Sequence, residues 1–134
     1  MSTENIRALV RYRLEQADEA LHAAQILLEQ SSLRAAVNRS YYAMFYAVLA
    51  LLALHQQETS KHAGVLSLFD RDFVRPGIFP RELSQWLRHA FRQRLAADYA
   101  ALSTVSAEAA QQVFEEAQAF VARVKEHLAQ ELLS

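Results

Sequence analysis

Residues 33–55, LRAAVNRSYYAMFYAVLALLALH, decide how this chain folds. The segment has no Gly or Pro and is apolar nearly all round, the pattern of a helix without a solvent face. Such a helix lies either in a bilayer or at the centre of a bundle. Its longest uncharged apolar run, residues 43–54, covers twelve positions, well short of the roughly 20 that a membrane span needs. A core helix is therefore expected, with no membrane association. Ala35, Ala36, Ala43, Ala50 and Ala53 share a side with Arg39, and such small residues let another helix come close. Arg39 is then expected to meet a neighbouring carboxylate, with Asp98 one candidate. The aromatic cluster Tyr41, Tyr42, Phe45 and Tyr46 reads, by itself, as core packing.

Outward from this segment, residues 3–30 place Ile6, Leu9, Val10, Leu14, Ala17, Leu21, Ala24 and Leu28 at three-and-four spacing, an amphipathic helix. Ser2 or Thr3 is placed to cap it, and Ser31-Ser32 breaks it. After a polar turn at 56–60, Ser60 is placed to cap a third helix over 61–74. Residues 75–80, RPGIFP, are the one strong breaker cluster, and Pro80 suits the entry to a fourth helix over 81–102. A loop at 103–106 follows, and Ser106 caps a last helix whose stripe includes Val113, Phe120, Val124 and Leu128. Long helices with short connections predict one all-α domain over 1–134, an antiparallel up-and-down bundle of four to five helices.

Composition supports this and removes several function classes. The chain has 134 residues, is 52% apolar, and holds two Gly and two Pro, which argues against disorder and leaves little need of turns. It has no Cys, which rules out disulfides, thiolate zinc sites and cysteine nucleophiles. The first twenty residues carry charges throughout and no signal-peptide core, so a cytoplasmic protein is expected. Net charge is −1, yet residues 61–94 hold seven basic against three acidic side chains, while residues 95–134 hold two against six. Twelve of the fourteen basic residues are Arg, the type whose planar fork suits phosphate or carboxylate.

The fourth helix breaks the pattern that the others keep. With residues 100° apart, Leu83, Leu87, Ala90, Phe91, Leu95 and Leu102 gather on one arc. Arg94 and Asp98 fall in the middle of it. Two ionisable residues on an apolar stripe, four positions apart, are expected to pair in a groove or toward the core. They form either a structural ion pair or a site, and an offence against the local rule points to the site. Arg88, Arg92 and Tyr99 lie together on the flank, an edge that suits gripping phosphate and stacking a base. The same edge suits solvation or a dimer surface.

Three stretches together carry a family resemblance. AAVNRSYYAMFYAVLALL, then SKHAGVLSLFDRDFVRPGIF, then a helix ending RQRLAADY resemble the small stand-alone HEPN proteins of prokaryotes. That branch has an Arg-x-Tyr-Tyr-Ala-x-Phe helix, a Lys/His-bearing third helix and an Arg-x-x-x-Asp-Tyr stretch, in this order. The resemblance covers roughly residues 8–125 and implies an antiparallel helical bundle, commonly a homodimer. It also implies a minimal nucleotidyltransferase as partner in a toxin–antitoxin-like pair, and nucleotide or RNA as ligand. In some such pairs the partner adds nucleotide to a motif Tyr, which here is Tyr99. Many HEPN proteins are metal-independent ribonucleases using an Arg, four to six residues, then a His.

This chain departs from that last pattern. None of His22, His55, His62, His89 and His127 has an Arg five to seven positions before it. Matching Arg92 to the family Arg puts the His position at Ala97; matching Arg94 leaves Asp98 and Tyr99 to complete the branch's own pattern. The missing imidazole moves weight from catalysis toward binding. His62, beside Lys61, offers an imidazole from elsewhere, although an exposed His near a helix start is the plainer expectation. Candidate catalytic residues are thus Arg94 and Asp98; candidate nucleotide- or RNA-binding residues are Arg88, Arg92, Tyr99, Arg39 and His62. No metal set or cofactor is expected: Glu115 and Glu116 point 100° apart, and His127 is too distant. A structural homo-oligomer without a ligand stays open beside the binding and nuclease readings.

Overall fold

Helix ends in this protein are closed by local groups whose chemistry is visible in the sequence. The Ser2 Oγ accepts the Asn5 N–H at 3.1 Å and opens helix α1, Thr3–Glu29. The Ser106 Oγ accepts the Ala109 N–H at 3.0 Å and opens helix α5, Ala107–Leu133. Both are N-caps that satisfy a peptide donor with no partner inside its helix. The computed structural model describes residues 2–59, 61–99 and 104–133, the side chains of Tyr99 and Leu133 excepted. Ser60, expected as a cap, and Leu102 and Ser103, expected in core and loop, lie outside the described residues.

Between α1 and α5 run helix α2 (Leu33–Leu54), helix α3 (His62–Phe69) and helix α4 (Arg81–Tyr99). Among the described residues these five helices make an all-α, antiparallel up-and-down bundle, as expected. α1 and α5 run in opposite directions, tied by Arg7 donating to the Leu132 carbonyl at one end and Lys125 to Asp18 nearer the middle.

α1 and α2 end in the same way. Ser31 has φ of 58° and Gln56 has φ of 55°. At the first end, the N–H of Ser32 reaches Leu27 O and that of Ser31 reaches Leu28 O; at the second, Gln57 reaches Leu52 O and Gln56 reaches Ala53 O. These are Schellman closures, whose left-handed residue is most often Gly. Here neither is, so each holds a side chain in a disfavoured backbone region.

α2 sits where its sequence demands. Eleven of its residues are buried, and Tyr41, Met44, Val48 and Leu51 are fully enclosed. By length and composition this helix could cross a membrane, but more than half of its apolar stretch is buried against the other helices. α4 contributes Leu83, Leu87 and Ala90 to the same core, and α5 contributes Val113, Phe120, Val124 and Leu128.

The third helix differs from expectation. It is α-helical only to Phe69 and continues as a π-turn over Asp70–Val74, closed by the Arg75 N–H on the Asp70 carbonyl at 2.9 Å. Apolar periodicity does not expose this, because Phe69 and Phe73 are buried at a spacing an ordinary helix would also use. The Asp70 carboxylate accepts Ser84 Oγ at 3.1 Å and Arg75 Nε at 3.2 Å, which fastens the turn to the start of α4. Gly77, at φ of 90°, supplies the left-handed residue in the connection.

Replacing Ser31 by Gly should relieve the left-handed strain without touching the core. Ser31→Gly is expected to raise stability by about 1 kcal/mol, read as an increase in the urea midpoint with an unchanged slope.

Candidate functional site

The aromatic cluster of α2 holds a histidine. His62 is the first residue of α3, and its ring stacks on Phe45 with centroids 4.3 Å apart and planes 16° apart. Tyr41 lies on the same stack at 5.8 Å and 21°, and Phe91 from α4 packs against Tyr41 at 5.6 Å. The Tyr41 hydroxyl and His62 Nδ1 are 2.8 Å apart. Burial pushes the Tyr41 phenol well above its ordinary range, against the opposing pull of the Arg94 cation. Burial, and then the same cation, push the His62 imidazole below its ordinary value. Tyr41 therefore stays protonated and His62 stays neutral near pH 7. The phenol has no other acceptor among the described residues, so it donates to Nδ1 and the imidazole keeps its proton on Nε2. His62 also lines a groove of about 910 Å³ with Phe45, Leu49 and Thr59, and with Arg13 from α1. It is not the exposed residue expected at a helix start; it is half-buried and built into the cluster.

Beside this dyad, one ring gathers two cations. The Arg94 guanidinium lies 5.5 Å from the Tyr41 ring centre and 5.3 Å from that of Tyr42. The Arg39 guanidinium lies 4.9 Å from Tyr42. Both fall within cation–π range. Arg94 Nε donates to Asp98 Oδ2 at 3.2 Å, with side-chain exposures of 16% and 32%. The groove-facing pair is thus formed as its spacing implies, with the arginine covered and the carboxylate at the rim. The terminal nitrogens of Arg94 make no hydrogen bond within the described residues. They are not fully buried, since His127 Nε2 is the one buried side-chain polar atom without a hydrogen bond among the described residues.

Among the described residues Arg39 does not meet a carboxylate. Its Nε and Nη2 donate to Asn38 Oδ1 at 3.1 and 3.0 Å. Asn38 is adjacent in the chain and reaches the guanidinium first. Arg39 and Asp98 nevertheless face one groove of about 470 Å³, together with Arg34 and Ala97. Arg88 and Arg92 are exposed and line a smaller concavity of about 230 Å³ with Ser67 and Phe91. Tyr99 ends α4, and its side chain lies outside the described residues. The structure thus brings Arg94, Asp98, Arg39 and His62 around Tyr41 and Tyr42, while Arg88 and Arg92 stand apart on the outer edge of α4. Among the described residues no group of three or more His, Asp or Glu is placed to hold a metal ion.

Sequence reasoning missed Tyr41 and Tyr42 as parts of the site. Nothing local marks a tyrosine whose partner lies 21 positions away. The placement of Arg94 on the inner arc of α4, opposite α2, was the available signal.

Comparison with known proteins agrees with this architecture. The HEPN domain matches residues 10–127. The chain belongs to the HEPN family. Within it, a UPF0332 protein of Thermotoga maritima is 42% identical over 94 residues, covering 70% of this chain and 71% of that protein. Two proteins of Methanocaldococcus jannaschii, each named as a putative toxin, are also similar. One is 32% identical over 115 residues, covering 86% of this chain and 78% of the other; the second is 35% identical over 125 residues, covering 93% and 92%. Of the two arginines that can be aligned with the HEPN motif, Arg94 is the one this HEPN fold carries inward, and Arg92 points out.

The His62 environment sets a direction for pH dependence. A free imidazole takes up its proton near 6.5, whereas the folded site resists protonation to lower pH. Below about 6.5 the unfolded chain therefore binds more protons than the native one. This contribution is fully present above that pH and is lost as pH falls through the window down to the folded value. His62→Phe keeps the stack and removes the titration. Its urea midpoint should change less between about pH 7.5 and about pH 5.5 than that of the wild type.

Proposed function

We propose that this protein is a toxin-like HEPN protein that works in the cytoplasm as a homodimer, binds RNA or a nucleotide at the Arg94 cluster, and is controlled by a minimal nucleotidyltransferase as its partner. The observation that carries the ligand is the Tyr42 ring with Arg39 and Arg94 both lying on it, from two helices, against the single carboxylate of Asp98. A local excess of guanidinium, partly removed from water and held by aromatic rings, suits a phosphate group. The rings beside it suit a base. Toxin-like action is supported by the names of the two archaeal relatives, and the partner by the family resemblance. Tyr99, one position beyond Asp98, is the residue such a partner would modify.

A second reading, a metal-independent ribonuclease, is favoured by one feature. His62 is a neutral, oriented imidazole in the same cluster as Arg94. With Nδ1 taken by the Tyr41 hydroxyl, the Nε2–H can donate to a phosphoryl oxygen; once that hydroxyl turns aside, Nδ1 is free to take the proton of a ribose 2′-hydroxyl as that oxygen attacks phosphorus, and the imidazolium returns a proton to the departing 5′-oxygen. This assigns the missing motif imidazole to α3 rather than α4.

Induced expression of the wild type should arrest growth, and co-expression with the nucleotidyltransferase should relieve the arrest and leave added nucleotide mass on Tyr99. Arg94→Ala should abolish the arrest. Arg94→Lys, which keeps charge and much of the packing, controls for misfolding through its thermal midpoint. Growth unaffected by the wild type, together with no co-purification, would overturn the proposal. Cellular RNA fragments that vanish in His62→Phe would choose the ribonuclease reading over binding alone.

A further inference from the structure

The outer face of α4 carries Arg81, Gln85, Arg88 and Arg92 at spacings of four, three and four. That rhythm keeps side chains in one line along a helix. All four residues are exposed. Arg88 links two concavities. One, of about 620 Å³ beside the π-turn, also holds Arg81 and Gln85; the other, between α3 and α4, holds Arg92 and Ser67. The line is therefore the shared wall of two neighbouring grooves rather than a convex ridge.

Its arginines are not directly paired, and the one carboxylate among the described residues lining these grooves, Asp70, is already taken by Arg75 and Ser84. Elsewhere on the surface Arg71 pairs with Asp72, Arg75 with Asp70, Arg123 with Glu126 and Lys125 with Asp18. Arg81, Arg88 and Arg92 form no ion pair or hydrogen bond among the described residues. Arg88 and Arg92 stand one turn apart, about 6 Å along the axis, close to the step of a nucleotide backbone. The face also lacks the apolar centre that a protein interface needs. Among the described side chains the exposed large apolar residues are Tyr12, Ile26 and Ile78, none of them on α4.

We propose that Arg81, Gln85, Arg88 and Arg92 form a phosphate track that holds the backbone of an RNA strand without regard to its base sequence. This rests on the RNA reading given above and extends it: the ligand is a strand, not a mononucleotide, and its backbone runs along α4 past Phe91 toward the Arg94 end. Three guanidinium forks supply charge-assisted bonds to successive phosphates, and Gln85 adds a neutral donor between them. Phosphate contacts of this kind position a strand and carry no sequence information.

Fluorescence anisotropy with labelled oligo-U and oligo-A on the full-length protein, over a series of salt concentrations, tests the track. Both strands should bind with similar affinity, and log K should fall linearly with log salt. For single strands each lost contact lowers that slope by about 0.7. The triple variant Arg81→Gln, Arg88→Gln, Arg92→Gln should therefore flatten it by about two and weaken both strands alike, with its circular dichroism unchanged. A triple variant with wild-type slope and affinity, while Arg94→Ala loses binding, would overturn the track and leave the RNA reading intact. Failure of the wild type to bind either strand would overturn both. Loss of nucleotidyltransferase co-purification in the triple variant, with RNA affinity unchanged, would assign the face to a protein partner and overturn the track.

Discussion

A helix with no side free for water can exist only if the rest of the chain encloses it. α2 comes close to that constraint here: eleven of its 22 residues are buried, while the stripe of Tyr42, Phe45, Tyr46, Leu49 and Ala53 is only half-buried. Each large apolar side chain so enclosed contributes roughly 1.5–3 kcal/mol, and the sum gives α1, α4 and α5 a common surface to pack on. The order of the bundle follows: α1 and α2 close as a hairpin, α5 returns along both, and α4 covers part of the remaining side. α3 and its π-turn are what is left to bridge from α2 to α4.

The same constraint explains where the polar chemistry gathers. A buried helix tolerates polar side chains only where a partner meets them. Ser40 turns its hydroxyl back to the Ala36 carbonyl at 2.8 Å, Tyr41 meets His62, and Arg39 meets Asn38. These residues sit together in the first half of α2, so the faces that α3 and α4 present there must be polar as well. Arg94 is the answer from α4 and His62 the answer from α3. The candidate site is the place where the core's solvent-free rule is relaxed, and tyrosine rings make that possible by offering both apolar faces and hydroxyls.

What could be read in the sequence followed periodicity. The all-round apolar pattern of residues 33–55 placed the central helix, and angular position alone put Arg94 and Asp98 on the inner arc of α4. Ser2 and Ser106 were legible as caps because capping is a local act. The unread features depend on contacts between segments or on geometry that leaves no residue signature. Tyr41 and His62 meet across the α2–α3 turn, so neither residue's neighbours announce the bond. Arg39 was assigned a carboxylate across a helix interface, whereas the adjacent Asn38 amide oxygen was nearer. The π-turn at Asp70–Val74 escaped because the burial of Phe69 and Phe73 suits either helix type.

α3 has only eight α-helical residues, and so short a helix has almost no stability of its own in water. It is held through Val65, Leu66 and Phe69 in the core and, at its first residue, through the Tyr41–His62 bond. Protonating His62 reverses this bond, Nδ1–H then donating to the Tyr41 oxygen, and places a cation beside Arg94, so the start of α3 is weakened. A short helix held at one end by a titratable contact is then expected to open at lower cost than the whole bundle. On mild acidification, its amides would exchange with solvent while those of α2 stay protected.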